Sequence, residues 1–314
     1  MEAELAVTPD DVRRAAATIG GRLHRTPTLS CRSLAPGAQL KAELFQRTGS
    51  FKPRGVLTKL ASLSAAERER GVIAVSAGNH AQALAWGAAV EGIDALVVMW
   101  EGASEAKVDA TRSYGASVDL RAGGPVEAFE RLHALREETG RVFVHPFDDP
   151  LVVAGQGTVG LEILEDVPGV DTIVVSTGGG GLVSGIAAAC VPAGVRVVAV
   201  EPELSPALHE GLAAGESVPV TPASLADALS APFAGALPIA LCRALGVEVV
   251  LVGEEEIRDA FRFLYERAKL AVEPGAAAAT AAVRAGRVEG ETLVAVVSGG
   301  NVAAQTAAAI LAGR

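Results

Sequence analysis

Thr172-Ile173-Val174-Val175, then Ser176-Thr177-Gly178-Gly179-Gly180-Gly181, then Leu182 is the stretch whose reading decides the fold. Four β-branched residues in a row read as a buried strand, and the apolar run opened by Leu182 reads as a helix. A glycine run between strand and helix lets the backbone approach an anion closely. It turns successive N–H groups toward that anion and adds the helix dipole. No Gly-Lys-Ser/Thr closes the loop, so it is not a P-loop, and its spacing misses Gly-x-Gly-x-x-Gly. With no ribose-binding acid nearby, a compact phosphate suits the loop better than a dinucleotide. A tight turn without any ligand is the plainer reading that one loop alone leaves open.

The same alternation runs outward in both directions. Toward the N-terminus, residues 71–75, 95–99, 117–120 and 142–144 read as strands, with helices at 81–90 and 103–114. A further helix opens at Pro125 and carries Phe129, Leu132 and Leu135 on one face. Toward the C-terminus, 195–200 and 293–297 read as strands, Ile257, Ala260, Phe261, Leu264 and Ala268 keep helical spacing, and an Ala-rich helix closes the chain. Such alternation builds an open, mostly parallel α/β sheet, which binds ligands in the loops at the carboxyl ends of its strands.

Composition narrows the classes. The 314 residues, half hydrophobic and a fifth charged, exclude disorder and suffice for one large or two modest domains. Twenty-seven Lys and Arg against 37 Asp and Glu leave a net charge of −10, which argues against a nucleic-acid partner and against a polybasic membrane anchor. The apolar run 182–200 holds Gly185, Pro192, Gly194 and Arg196 and does not read as a membrane span. The start, Met1-Glu2-Ala3-Glu4, has no signal-peptide core. Cys31, Cys190 and Cys242 are widely spaced and match buried residues of a reducing compartment. The expectation is a cytoplasmic protein.

Three more loops carry polar chemistry. Gly49-Ser50-Phe51-Lys52-Pro53-Arg54-Gly55 holds one of only five lysines in the chain, in a glycine-flanked turn beside an aromatic residue. A lysine beside a bound phosphate cofactor can form a Schiff base if its amine is deprotonated. Ser76-Ala77-Gly78-Asn79-His80 follows a strand and offers N–H groups and hydroxyls suited to a carboxylate. Ser298-Gly299-Gly300-Asn301 follows another strand. Taken singly, Lys52 reads as a solvated turn residue, His80 as a structural helix-start histidine and the Ser298 loop as a plain turn.

Together and in this order, the four loops resemble the pyridoxal-phosphate enzymes of fold type II, the tryptophan-synthase-β-like fold. Within that group the chain is most similar to the serine/threonine dehydratase and serine racemase family. Further stretches support the likeness: Lys41-Ala42-Glu43, His145-Pro146-Phe147-Asp148-Asp149-Pro150, Ala154-Gly155-Gln156-Gly157-Thr158, Glu201-Pro202 and Val272-Glu273-Pro274-Gly275. The resemblance implies that Lys52 is the Schiff-base lysine and removes the α-proton. It places Phe51 against the pyridine ring, Asn79 on the ring hydroxyl, and Gly178, Gly179, Gly180, Gly181 and the Leu182 N–H on the phosphate. It places Ser298 at the ring nitrogen. Ser76, Ala77, Gly78, Asn79 and His80 line the substrate carboxylate cradle, and Glu273 and Asn301 stand behind these groups.

The same resemblance separates subfamilies. Racemases of this kind carry a second serine where this chain has Ala77, which has no proton to give to the opposite face, and tend to carry Asn where Phe147 stands. The expected activity is therefore β-elimination: a lyase, the threonine/serine ammonia-lyase (dehydratase), of amino-acid metabolism. The alternatives are a serine or aspartate racemase, or a dehydratase of another β-hydroxy amino acid such as 3-hydroxyaspartate. Family members with a divalent cation pair a Glu at the position of Glu201 with an Asp six residues on; here that position is Ala207, so no metal site is expected beyond Glu201 itself, with a divalent or monovalent cation left open. The expected architecture is two open, mostly parallel α/β domains with the active site between them, 1–57 with 146–314 forming the large cofactor-binding domain and 58–145 the small one. The end at Arg314 leads to the expectation of no C-terminal regulatory domain. Family membership implies a homodimer acting on a small amino acid.

Overall fold

A computed structural model describes residues 5–313 of the chain; the acidic start Met1–Glu4 and Arg314 lie outside them. Ten strands form two sheets: β1 (Thr28–Ser30), β2 (Gln39–Ala42), β3 (Val72–Val75), β4 (Ala95–Trp100), β5 (Ser117–Ala122), β6 (Val142–Phe143), β7 (Thr172–Ser176), β8 (Arg196–Pro202), β9 (Glu248–Val252) and β10 (Leu293–Val297). The larger sheet has the order β1-β2-β10-β7-β8-β9 and the smaller β5-β4-β3-β6. Among the described strands β1 and β2 pair antiparallel, and the other neighbours pair parallel. Every residue of β3, β7 and β10 is buried. That burial explains why these strands are continuous Val/Ile/Ala runs rather than alternating ones, since helices cover both faces of a parallel sheet.

The helices that bring the site together do so through glycine. The helix Pro150–Asp166 lies against Pro53–Ala61 on one side and Gly181–Cys190 on the other. A Cβ on Gly155 would stand 2.6 Å from the Arg54 carbonyl oxygen, and one on Gly185 2.7 Å from the Gly157 amide nitrogen. The backbones therefore touch, and no side chain fits between them. This close approach sets the distance between Lys52, which caps the first of these helices, and the glycine loop that opens the last. Gly185→Ala is expected to lower stability by roughly 1–3 kcal/mol, because overpacking here must push main chain from main chain; chemical denaturation measures it. An unchanged midpoint would show that the helices can slide apart freely.

Helix limits differ from the expected ones by capping. The helix expected at 81–90 runs Asn79–Glu91 with Gly78 as its N-cap, so Asn79 and His80 occupy its first turn rather than a loop. The helix expected from Leu182 begins at Gly181. The helix Pro53–Ala61 runs through the expected boundary between residues 57 and 58. All three cysteines are buried and free, and burial pushes the Cys190 and Cys242 thiols up to about 12. Among the described residues no helix is long and apolar enough to cross a membrane.

Candidate active site

Each candidate loop stands at the carboxyl end of a strand: the Lys52 turn follows β2, Ser76–His80 follows β3, the glycine loop follows β7 and Ser298–Asn301 follows β10. The Lys52 turn and the Ser298 loop are stitched together. Phe51 N–H donates to the Ser298 carbonyl at 3.2 Å and Gly300 N–H to the Gly49 carbonyl at 2.9 Å. Asn301 Nδ2 donates to the Thr48 carbonyl at 2.7 Å and to Asn79 Oδ1 at 2.8 Å. Asn79 Nδ2 in turn donates to Glu273 Oε1 at 2.7 Å. One N–H of Asn79 is left for a further partner. Glu273 and Asn301 thus orient Asn79, whose reach for a ligand would otherwise depend on a freely rotating amide. A Cβ on Gly299 would stand 2.2 Å from Glu273 Oε1, so a side chain there would displace the carboxylate that holds Asn79.

Lys52 Nζ donates to the Pro146 carbonyl at 2.9 Å and lies 5.1 Å from the centroid of the Phe51 ring. Burial pulls the amine down to about 8, opposed by the negative charge of Glu273. Burial also pushes the Glu273 carboxyl up to about 7; Asp227 raises it further, while the Asn79 hydrogen bond, Lys107 and Lys52 oppose. Lys107 and Asp227, both of which act on the Glu273 carboxyl, form an ion pair of 2.5 Å. Two neutral histidines stand beside the amine. Burial and the Lys52 charge drive His80 down to about 3, and burial drives His145 down to about 4. A carbonyl only accepts, so His80 Nε2, 2.8 Å from the Val144 oxygen, carries the proton. The neutral ring then has a bare Nδ1. With Nε2 committed to the Val144 carbonyl, the imidazole of His80 has no N–H to offer a substrate carboxylate, and its backbone N–H is the group it can turn toward the expected cradle. Ser76 Oγ accepts from Gly78 N–H at 3.1 Å, which bends that cradle.

The depressed amine has a measurable consequence. In cofactor-free protein the unfolded chain binds more protons than the folded one between about pH 8 and the ordinary lysine value of 10.5. Stability therefore rises with pH across that window. Cofactor-free Lys52→Met is expected to be more stable than cofactor-free wild type at pH 7, with the gap closing toward pH 10.5; melting curves at several pH values show it. A constant gap would mean that the wild-type amine titrates normally.

The glycine loop faces the same space. A Cβ on Gly178 would lie 2.9 Å from the Leu229 carbonyl oxygen, and one on Gly179 2.5 Å from Phe147 Cγ. Gly180 adopts φ +91°, a conformation that L side chains rarely take. The N–H groups of Gly178 to Leu182 find no acceptor among the described residues. Five unpartnered donors around a glycine-floored concavity fit a phosphate group.

A comparison with known proteins places the chain. The sequence profile of the pyridoxal-phosphate dependent enzymes matches residues 20–299. The chain belongs to that family. It is 44% identical over 305 residues to the L-threonine ammonia-lyase of Thermotoga maritima, covering 94% of this chain and 76% of that protein. It is 39% identical over 310 residues to the catabolic L-threonine dehydratase of Escherichia coli, covering 95% and 94%. Among solved structures, maize serine racemase superposes with a TM-score of 0.91 at 35% identity, covering 96% of this chain and 95% of that one. A bacterial threonine deaminase gives 0.87 at 38%, covering 94% and 99%. The fold is that of the type II pyridoxal-phosphate enzymes, and the cofactor is pyridoxal phosphate. The unpartnered amides of the glycine loop, the buried amine of Lys52 and the free N–H of Asn79 are the groups in this chain that fit it.

Several residues escaped the sequence reading. Pro146 and Val144 act through backbone carbonyls, for which side-chain identity carries no signal. Lys107 and Asp227 are 120 residues apart in sequence and meet only in the fold. Arg54, within the Lys52 motif, faces away from the pocket: it bonds Glu43, Glu162 and Thr158. Glu201 spends both carboxylate oxygens on the N–H groups of Leu208 and His209, at 2.7 and 2.8 Å. Burial lifts it to about 8, against those two bonds.

Proposed function

We propose that this enzyme is an ammonia-lyase that converts L-threonine, and L-serine, to the 2-oxo acid and ammonia by β-elimination. The observation that carries the reading is the amine of Lys52, depressed by burial and held at the Pro146 carbonyl, while Ala77 stands where a second proton donor would be needed. Bound pyridoxal phosphate supplies an electron sink for charge developing at the substrate α-carbon. The N–H groups of Gly178, Gly179, Gly180, Gly181 and Leu182 would hold its phosphate, Asn79 its ring hydroxyl, Phe51 its ring face and Ser298 its ring nitrogen. Ser298 is a neutral hydroxyl, which does not hold a proton on the ring nitrogen as a carboxylate would. That arrangement favours elimination, in which the charge leaves with the β-substituent. Ser76, Ala77, Gly78, Asn79 and His80 hold the carboxylate through backbone N–H groups and the Ser76 hydroxyl. Lys52, poised near neutrality by burial, takes the α-proton.

The names borne by the relatives in Thermotoga and Escherichia support threonine as the substrate. On this reading the units 1–57 with 146–314 and 58–145 act as domains that close on the substrate and exclude water, in a cytoplasmic homodimer. The test supplies L-threonine, L-serine, D-serine and 3-hydroxyaspartate separately to the holoenzyme and measures 2-oxo acid, ammonia and product chirality. 2-Oxobutyrate from L-threonine without D-isomer is the expected result. D-Serine formed at a rate matching elimination would favour a racemase, the activity named for the similar maize structure. A 2-oxo acid from 3-hydroxyaspartate alone would move the substrate to that class.

A further inference from the structure

His80 has a ring nitrogen, Nδ1, that is buried without any hydrogen-bond partner. Leaving such an atom unpaired costs stability, and an apolar ring in the same space would avoid that cost. The other nitrogen is committed to the carbonyl of Val144. The peptide N–H of Val144 donates to the Ile73 carbonyl at 3.0 Å, so β3 holds one side of this residue and His80 the other. Two residues on, Pro146 has no N–H, and its carbonyl takes Lys52 Nζ. Between them His145 folds back on the turn: its Nδ1 accepts the N–H of Phe147 at 3.3 Å and of Asp148 at 2.8 Å. Phe147 then lies under Gly179 and Gly181, and Asp148 takes the N–H of Leu237 at 2.9 Å.

We propose that His80 is a positioning residue for Lys52: by holding the Val144 carbonyl it fixes the turn 144–148, so that the Pro146 carbonyl receives one Nζ–H and the rest of the amine points into the pocket. The inference rests on the reading of Lys52 as the reactive amine. It adds that the amine is aimed by backbone oxygen rather than by an acidic side chain. A carbonyl cannot remove the proton it receives, so the lone pair of neutral Lys52 stays available for chemistry. A carboxylate in that place would hold the ammonium charged. The groups facing Lys52 are consistent with this: Glu273 is the one acidic side chain whose charge acts on it, and His80 and His145 are neutral. His145 itself faces Asp148 and Asp149 as well as Lys52.

Two amide substitutions separate positioning from packing. Gln carries its Nε2 as many bonds from the backbone as the histidine Nε2 and can still donate to Val144; Asn ends at the position of Nδ1 and cannot. In the holoenzyme, His80→Gln is expected to retain a kcat for L-threonine at least about 10-fold above that of His80→Asn. His80→Asn is expected to lower kcat about 30-fold or more while KM moves less than about 3-fold, because a misaimed group loses rate rather than binding. In cofactor-free protein, the pH midpoint for cyanate labelling of Lys52, read by mass spectrometry, stays with wild type in His80→Gln and moves by about one unit in His80→Asn. Gln and Asn variants that behave alike, either both intact or both impaired to the same degree, overturn the proposal. If His80→Asn does not fold, nitrogen-15 NMR of the five labelled histidines of wild type decides. His80 must remain the neutral Nε2–H tautomer from pH 6 to 9, and a protonated ring or the Nδ1–H tautomer overturns the proposal. Labelling and tautomer need no turnover, so they stand apart from Lys52→Ala, whose undiminished activity would defeat the Lys52 reading itself.

Discussion

Lys52→Ala is expected to fold, to bind pyridoxal phosphate without a covalent link, and to form 2-oxobutyrate from L-threonine at least about 10³-fold more slowly than wild type. The size follows from what one amine does. On the proposed reading it carries the cofactor as a Schiff base and takes the α-proton, and among the described groups around it nothing replaces it in either role. His80 and His145 are held neutral, but both spend a ring nitrogen on the turn 144–148, His80 as donor and His145 as acceptor. Glu273 is bound to Asn79. The proposed phosphate cradle is expected to survive the substitution, because it would be built from backbone N–H groups of residues 178–182 and would not include Lys52. Absorbance of the bound cofactor, borohydride reduction and a 2-oxo acid assay on one sample separate the two functions. Turnover within 10-fold of wild type would mean that another group is the base.

Arg54→Met is the change expected to damage the fold most. Arg54 is 2% exposed and its partner Glu43 is fully buried. The guanidinium donates to both oxygens of Glu43, at 2.8 Å each, to both oxygens of Glu162, at 2.7 and 3.0 Å, and to Thr158 Oγ1 at 3.1 Å. Lys41, fully buried, adds an ion pair to Glu162 at 2.8 Å and one to Asp166 at 3.2 Å. Neighbouring carboxylates raise the guanidinium pKa against the opposing effect of burial. Methionine fills much of the volume but leaves Glu43 with Thr26 as its remaining side-chain partner. Removing one side of a buried pair costs about 3–5 kcal/mol, mostly from the stranded charge. Glu43→Gln with Arg54→Met is expected to recover a large part of that loss, since no charge is then stranded. Urea denaturation of the single and double variants measures the difference; equal loss in both would assign the effect to packing.

Much of the fold was legible in local chemistry. Val72–Val75, Thr172–Ser176 and Leu293–Val297 are apolar over nearly their whole length, which only a strand covered on both faces requires. The glycine loop, the lysine in its motif and the Asn-His pair were legible because each needs a particular side chain, or its absence, next to a strand end. The sheet order was not. Nothing in the composition of β10 says that it lies between β2 and β7, since pairing partners are chosen by the packing of helices far away in sequence.

What the sequence by itself determined is therefore the set of parts: a parallel α/β fold, a glycine run between strand and helix, a lysine in a glycine-flanked turn, and an alanine at position 77. Those depend on backbone freedom, hydrophobic periodicity and functional-group identity, all of which are local. What the tertiary structure alone decided is how the parts are tuned and aimed. Arg54 shares the motif of Lys52, yet it points into a buried ion network because its helix turns it toward Glu43 and Glu162. The amine of Lys52 is lowered by burial between segments brought from 40–60, 144–148 and 270–300, and it is oriented by the carbonyl of Pro146. Burial and the direction of a backbone oxygen are properties of the packed chain, and no single stretch of residues carries them.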